Sequence, residues 1–134
     1  MESNVIYNKT TTIERCIKRI NEIYEKKPLN LKDMNKQDLI ILNLERACQA
    51  TIDMAMHVIS SKRLGLPQSS KNAFEILAEE KIIKKDLCED LKSMVGFRNV
   101  AIHDYQDVDL KILQAIVEEH LGDLLDFCKT IIKY

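Results

Sequence analysis

A chain of 134 residues with 46% hydrophobic and 31% charged side chains can bury roughly two thirds of the surface it exposes when unfolded, so it needs no disulfide or metal to hold a core. Three glycines, two prolines, no tryptophan and 5% aromatic residues argue against a β-sandwich or barrel, which needs many turns and strand-forming rings, and favour an all-α fold. Lys and Arg number 20 against 21 Asp and Glu, a net charge of -1, which excludes a whole-molecule field that would draw in nucleic acid or an anionic membrane; any RNA site must be local.

The stretch from Met1 to Thr10 is polar and lacks the apolar core of a signal peptide. The longest aliphatic run, Leu39-Ile40-Ile41-Leu42, is far too short to span a bilayer, so a cytoplasmic protein with no membrane partner is expected. Cys16, Cys48, Cys88 and Cys128 lie far apart, with no C-x-x-C pair and no Cys/His cluster at metal-ligand spacing. They read as small hydrophobes in a reducing compartment, and neither a metal nor a cofactor is expected.

Five helical segments account for nearly the whole chain. Ile13, Cys16, Ile17, Ile20, Ile23 and Tyr24 recur at three- and four-residue spacing, predicting an amphipathic helix from about Thr11 to Lys26, capped by the hydroxyls of Thr10 and Thr11 and ended before Pro28. A long second helix is expected from about Asn35 to Lys62, closed by Gly65-Leu66-Pro67. The third begins at Ser69 or Ser70 and carries Phe74, Leu77 and Ala78, and the fourth starts near Lys85 and runs through Arg98. The fifth opens at an Asp107 cap and carries Leu110, Leu113, Val117, Leu121, Leu124, Cys128 and Ile131. With no repeats, linkers or low-complexity tracts, residues 1–134 read as one antiparallel helical bundle.

Two places break the amphipathic pattern. On the fourth helix, Leu87, Leu91, Met94 and Val95 all fall within about 60° of Arg98, which puts the arginine in the middle of the apolar stripe. Either it snorkels out on its long stem or the stripe ends at a groove or partner where a guanidinium is wanted, because burying it unpaired costs too much. On the second helix Asp53 and His57 each fall within roughly 20° of Arg46, opposite the apolar arc of Ile40, Leu44, Ala47, Thr51, Met54, Ala55 and Val58. They form either a solvated face with an i,i+4 Asp-His pair or the polar wall of a cleft. His120, at the edge of the last helix's stripe, reads as boundary packing.

Directly after the fourth stripe stands Arg98-Asn99-Val100-Ala101-Ile102-His103-Asp104-Tyr105. A permanent cation and a near-neutral imidazole lie close together there, beside an amide and a phenol. Five residues on an unbroken helix set Arg98 and His103 about 140° apart, so both serve one site only if the helix ends between them or two subunits contribute. Glycosidase, P-loop and Ser or Cys triad chemistry find no support in the chain.

These residues resemble the HEPN superfamily, specifically its HepT-like toxins, whose helical domains carry R-x-x-x-x-H-x-Y with a polar residue after the arginine: here Arg98, Asn99, His103 and Tyr105. The stretch from Asn43 to Ala78 is similar to the family's second and third helices, including the Asp-x-x-x-His of Asp53 and His57. The resemblance implies an all-α homodimer and a metal-independent endoribonuclease, the toxin half of a toxin-antitoxin pair acting on mRNA or tRNA. It implies Arg98 and His103 as catalytic residues from both subunits, and Asn99, Arg46, Asp53 and His57 as supporting or substrate-binding residues. It also implies Tyr105 as the residue adenylylated by a minimal nucleotidyltransferase antitoxin. The same residues also admit a non-catalytic HEPN module that binds a nucleotide or docks a nucleotidyltransferase.

Overall fold

The computed structural model describes residues 3–103 and 108–134, and every long element among them is helical. Helix α1 spans Ser3–Tyr24, starting about two turns before the expected Thr11. The reason is Ile6, which continues the stripe of Ile13 and Ile20 and is buried with them. Thr10 and Thr11 therefore do not cap. They lie inside the helix, where Thr11 Oγ1 donates to the Tyr7 carbonyl at 3.0 Å and Thr12 Oγ1 to that of Asn8 at 3.1 Å. After α1 the backbone turns left-handed at Glu25 and Lys26, and a single 3-10 turn, Pro28–Lys32, follows.

Helix α2 spans Met34–Ser61, about 42 Å at 1.5 Å per residue, and the Asp33 carboxylate caps it by accepting from the Lys36 amide at 3.1 Å. It stops where Arg63 and Gly65 adopt positive φ, at +55° and +125°, just ahead of Pro67. Helix α3, Ser70–Glu79, starts on the expected serine, with Ser69 Oγ accepting from Asn72 N at 3.0 Å. Helix α4 spans Lys85–His103 and so runs past Arg98 without a break. The final helical run opens at Asp109, whose carboxylate accepts from Lys111 N and Ile112 N at 2.9 and 3.4 Å. Asp107, the cap expected there, lies outside the described residues. This run is not uniform: α5, Leu110–Ala115, passes through one π-turn, Ile116–His120, into α6, Leu121–Lys133.

The long α2 is the axis of the bundle: α1 packs along most of it, and α3, α4 and α6 cover its other sides. Ile13 and Ile20 of α1, Ile40, Leu44 and Met54 of α2, Leu77 of α3, Leu91 of α4 and Leu113 of α5 are wholly buried in one apolar cluster. Phe74 and Phe127 meet edge to face in it, with centroids 5.6 Å apart and planes at 85°. All four cysteines are buried free thiols, in keeping with their role as small hydrophobes. Two polar side chains also lie inside, and each bonds back one turn: Asn43 to the Leu39 carbonyl and Thr51 to that of Ala47, both at 2.8 Å. At the periphery Tyr24 donates to Glu118 on the π-turn, and Lys92 reaches Glu75 at 2.7 Å, joining α4 to α3.

His120 is not the isolated boundary residue expected from its position. Its Nδ1 sits 3.0 Å from Asp123 Oδ2, and with Asp90 of α4 these side chains form a group of half-buried donors within 4.8 Å of one another. The bond to Asp123 holds the imidazole above its ordinary 6.5, against the effect of burial. Burial first, then the Asp123 charge, raises the Asp90 carboxyl.

Two measurements check this packing. Phe127→Ala removes one ring of the central pair and should cost about 3–5 kcal/mol in a urea titration. Because His120 is shifted upward on folding, its stabilisation is complete below 6.5 and is lost as pH rises through the raised value. Stability measured across that interval should decline more in the wild type than in His120→Gln; equal declines would show that the pair contributes nothing.

Candidate active site

Arg98 leaves the apolar stripe of α4 half-buried and turns its guanidinium onto α2. Nη2 donates to Oε1 of Gln49, and Nη1 lies 3.4 Å from Oδ1 of the adjacent Asn99. Its Nε is buried with no partner among the described residues. The head group is therefore held between Gln49 of α2 and the neighbouring Asn99 of α4. Two neighbours report the same placement: burial pushes the Cys48 thiol up to about 12 and raises the Glu45 carboxyl, and in both the Arg98 charge pulls the other way.

Gln49 is itself held. Its Nε2 donates to Asp53 Oδ1 at 2.9 Å, and Asp53 Oδ2 accepts from Lys9 of α1 at 3.1 Å. A row of four side chains, Arg98, Gln49, Asp53 and Lys9, thus crosses three helices with alternating donors and acceptors, and it has a cation at each end. Gln49 had no distinguishing signal in the sequence. It lies about 60° from Arg46 and about 40° from Asp53 around the helix, and its role depends on where α4 crosses α2.

The remaining polar residues of α2 do not form one wall. Asp53 joins the Arg98 network, whereas His57 bonds within its own helix, Nε2 to Ser61 Oγ at 3.4 Å, so the i,i+4 Asp-His pair gives way to two separate partnerships. Arg46 is exposed and lines a groove between α1 and α2 with Arg15 and Arg19. On α4, Asn99 is exposed beside Arg98, and His103 is exposed as the last residue of the helix. Since α4 is unbroken between them, Arg98 and His103 of one chain point about 140° apart. Tyr105 lies outside the described residues.

The arrangement presents a positioned cation, its two terminal nitrogens held by Gln49 and Asn99, and an exposed imidazole on a different side of the same helix.

A family model described as ribonuclease HepT-like matches residues 13–131. The chain is 44% identical over 129 residues to the mRNA nuclease HepT of Shewanella oneidensis, covering 96% of this chain and 97% of that protein. It superposes on the tri-AMPylated Shewanella oneidensis HEPN toxin in complex with MNT antitoxin with a TM-score of 0.92 at 44% identity, over 97% of this chain and 98% of that one. On a toxin-antitoxin crystal structure with AMP-PNP the TM-score is 0.94 at 43% identity, over 98% and 99% of the two chains. The helical architecture, the positioned arginine and these matches together establish that the chain belongs to the ribonuclease HepT-like family.

Proposed function

We propose that this protein is the toxin half of a toxin-antitoxin pair: a homodimeric endoribonuclease that cleaves RNA by 2′-hydroxyl attack and is neutralised by a nucleotidyltransferase that adenylylates Tyr105. The observation that carries the reading is Arg98, held on α2 by Gln49, with His103 five residues further along the unbroken α4. The relatives reinforce it: one is an mRNA nuclease, another an AMPylated toxin bound to its MNT antitoxin. A cytoplasmic site of action fits a chain in which no described helix is long and apolar enough to cross a membrane.

In this reading a phosphodiester docks with its non-bridging oxygens on the Arg98 guanidinium, which stabilises the charge that builds on phosphorus as the 2′-oxygen attacks. An imidazole takes the 2′-hydroxyl proton, and an acid returns one to the departing 5′-oxygen as the P–O5′ bond breaks. The products are a 2′,3′-cyclic phosphate and a 5′-hydroxyl. His103 is exposed, and an imidazole suits either proton transfer near neutral pH; a dimer supplies two of them. Asn99 bonds to the guanidinium and lies where it can orient the phosphate.

The angular separation along α4 makes the dimer part of the chemistry. One chain cannot aim both groups at one phosphate, so Arg98 of one protomer meets His103 of its partner across a shared cleft. Val100 and Ile102, alternating with the motif and about half exposed, offer apolar surface for that interface. Arg98→Ala and His103→Ala should each lower cleavage by about 10²–10⁴-fold. Their co-expressed mixture should recover activity that neither homodimer has, measured on a labelled oligoribonucleotide. Failure of the mixture, with dimers intact, would assign each site to a single chain.

Adenylylation of Tyr105 would place a phosphate-linked adenosine two residues from His103, filling the cleft and adding negative charge where the RNA phosphate must bind. Mass spectrometry after co-expression with the nucleotidyltransferase should find adenylyl mass on Tyr105. Tyr105→Phe should remain unmodified and toxic, whereas an unmodified Tyr105 on inactivated wild-type protein would rule out this route of neutralisation.

A further inference from the structure

The groove between α1 and α2 holds charge that the catalytic network does not use. Arg15 and Arg19 stand one turn apart on α1 and Arg46 faces them from α2, with the Thr12 hydroxyl and Asn43 amide beside them; no acid lines the groove, whose volume is about 370 Å³. All three arginines are exposed, and among the described residues Arg15 and Arg46 have no ion-pair or hydrogen-bond partner. Arg19 approaches Glu22 only to 3.9 Å, with both side chains more than half exposed, a pair that water screens. Cys16 forms part of the wall: burial raises its thiol while the charges of Arg46 and Arg15, in that order, oppose the shift. The larger cavity, where the α3–α4 turn meets α6, is different in kind. Its lining carries four lysines against four aspartates and has no net field.

We propose that this groove is a binding track for the sugar-phosphate backbone of the RNA, leading the strand to Arg98. The proposal rests on the ribonuclease reading and extends it to how substrate is held. Three guanidiniums, only Arg19 with an acid nearby, suit phosphates because each can grip two non-bridging oxygens, and Arg15 and Arg19, with β-carbons about 5–6 Å apart, form a short row rather than a single point of charge. Leu39 and Leu42, 40% and 39% exposed at the groove edge, offer apolar contact for a sugar or base face. Position links the groove to the site. Arg46 precedes Gln49 by three residues, about 4.5 Å of rise, so a strand on the arginines lies less than one turn of α2 from the residue that holds Arg98. A chain with a net charge of -1 can hold RNA only through such a local patch, and here three of its twenty basic residues line a groove that no acid lines.

The test is binding and cleavage measured side by side. In a His103→Ala background, which keeps the probe intact, fluorescence anisotropy with a labelled single-stranded oligouridylate should show Arg15→Gln/Arg19→Gln weakening affinity about tenfold. The slope of log affinity against log salt should fall by about 1.4, near 0.7 for each phosphate no longer neutralised. Arg15→Lys/Arg19→Lys should keep most of that slope, and circular dichroism should show both variants folded. In the active protein the Gln pair should raise KM. Unchanged affinity, salt slope and KM in a protein that still cleaves RNA would overturn the groove and leave the ribonuclease reading standing. RNA bound through these arginines but never cut by wild-type protein would do the reverse. Loss of co-purification with the nucleotidyltransferase, with RNA affinity unaffected, would make the groove a protein contact and also overturn the proposal.

Discussion

The constraint on which the site depends is the placement of a cation within an apolar stripe. Arg98 shares its side of α4 with Leu91, Met94 and Val95, all buried, so its guanidinium must find polar partners on whatever helix covers that stripe. That helix is α2, and the partner is Gln49. A glutamine can present either its oxygen or its amide nitrogen, and only the oxygen serves a guanidinium. Asp53 decides the matter by taking the Nε2 hydrogen, and Lys9 from α1 balances the Asp53 charge. The orientation of one arginine thus rests on the mutual packing of α1, α2 and α4, and a change at Lys9 or Asp53 acts on Arg98 without touching it.

The continuity of α4 sets the second constraint. A helix that ended at Asn99 would let the chain fold His103 back toward Arg98, and a monomer could hold both groups on one phosphate. Instead the helix runs on to His103, and its rotation carries the imidazole away. The exposed Val100 and Ile102 lie on those same last turns, so the segment that separates the two groups within one chain also carries apolar surface for joining them between chains. In the proposed reaction assembly and chemistry are then one requirement, because the two groups leave α4 on different sides.

Most of the architecture was legible because helices announce themselves through periodicity. α2 begins and ends within a residue of the expected bounds and α3 begins on the expected serine, where Gly65, Pro67 and Ser69 punctuate the chain. The misses have local causes. Thr10 and Thr11 resemble a cap because hydroxyls favour that role, but the buried Ile6 upstream extends the helix through them. The π-turn at Ile116–His120 leaves no mark in a 3.6-residue period count, and the companions of His120 lie partly on another helix. The site was half legible. Arg98 stands out by violating a pattern, whereas Gln49, Lys9, Arg15 and Arg19 violate none: each is an ordinary polar residue on an exposed face until packing assigns it a neighbour. Alignment of Arg46, Asp53 and His57 on one helix suggests a shared wall, and the fold divides them because each meets a different neighbour.

That division also changes what a near-zero net charge means for an RNA enzyme. Long-range attraction scales with total charge, but the salt-sensitive part of affinity scales with the number of phosphates actually neutralised, which is a property of one surface. Glu22 aside, the acids spread around the bundle do little to cancel three arginines in a groove that no acid lines, because exposed charges separated by more than about 8 Å are largely screened at physiological salt. A globally neutral, locally cationic chain pairs with phosphate only where its geometry permits, and it is not held to nucleic acid at large. Under the proposed neutralisation weak general attraction is an advantage: an adenylyl group on Tyr105 would compete for a few specific contacts and need not overcome a diffuse electrostatic hold on RNA.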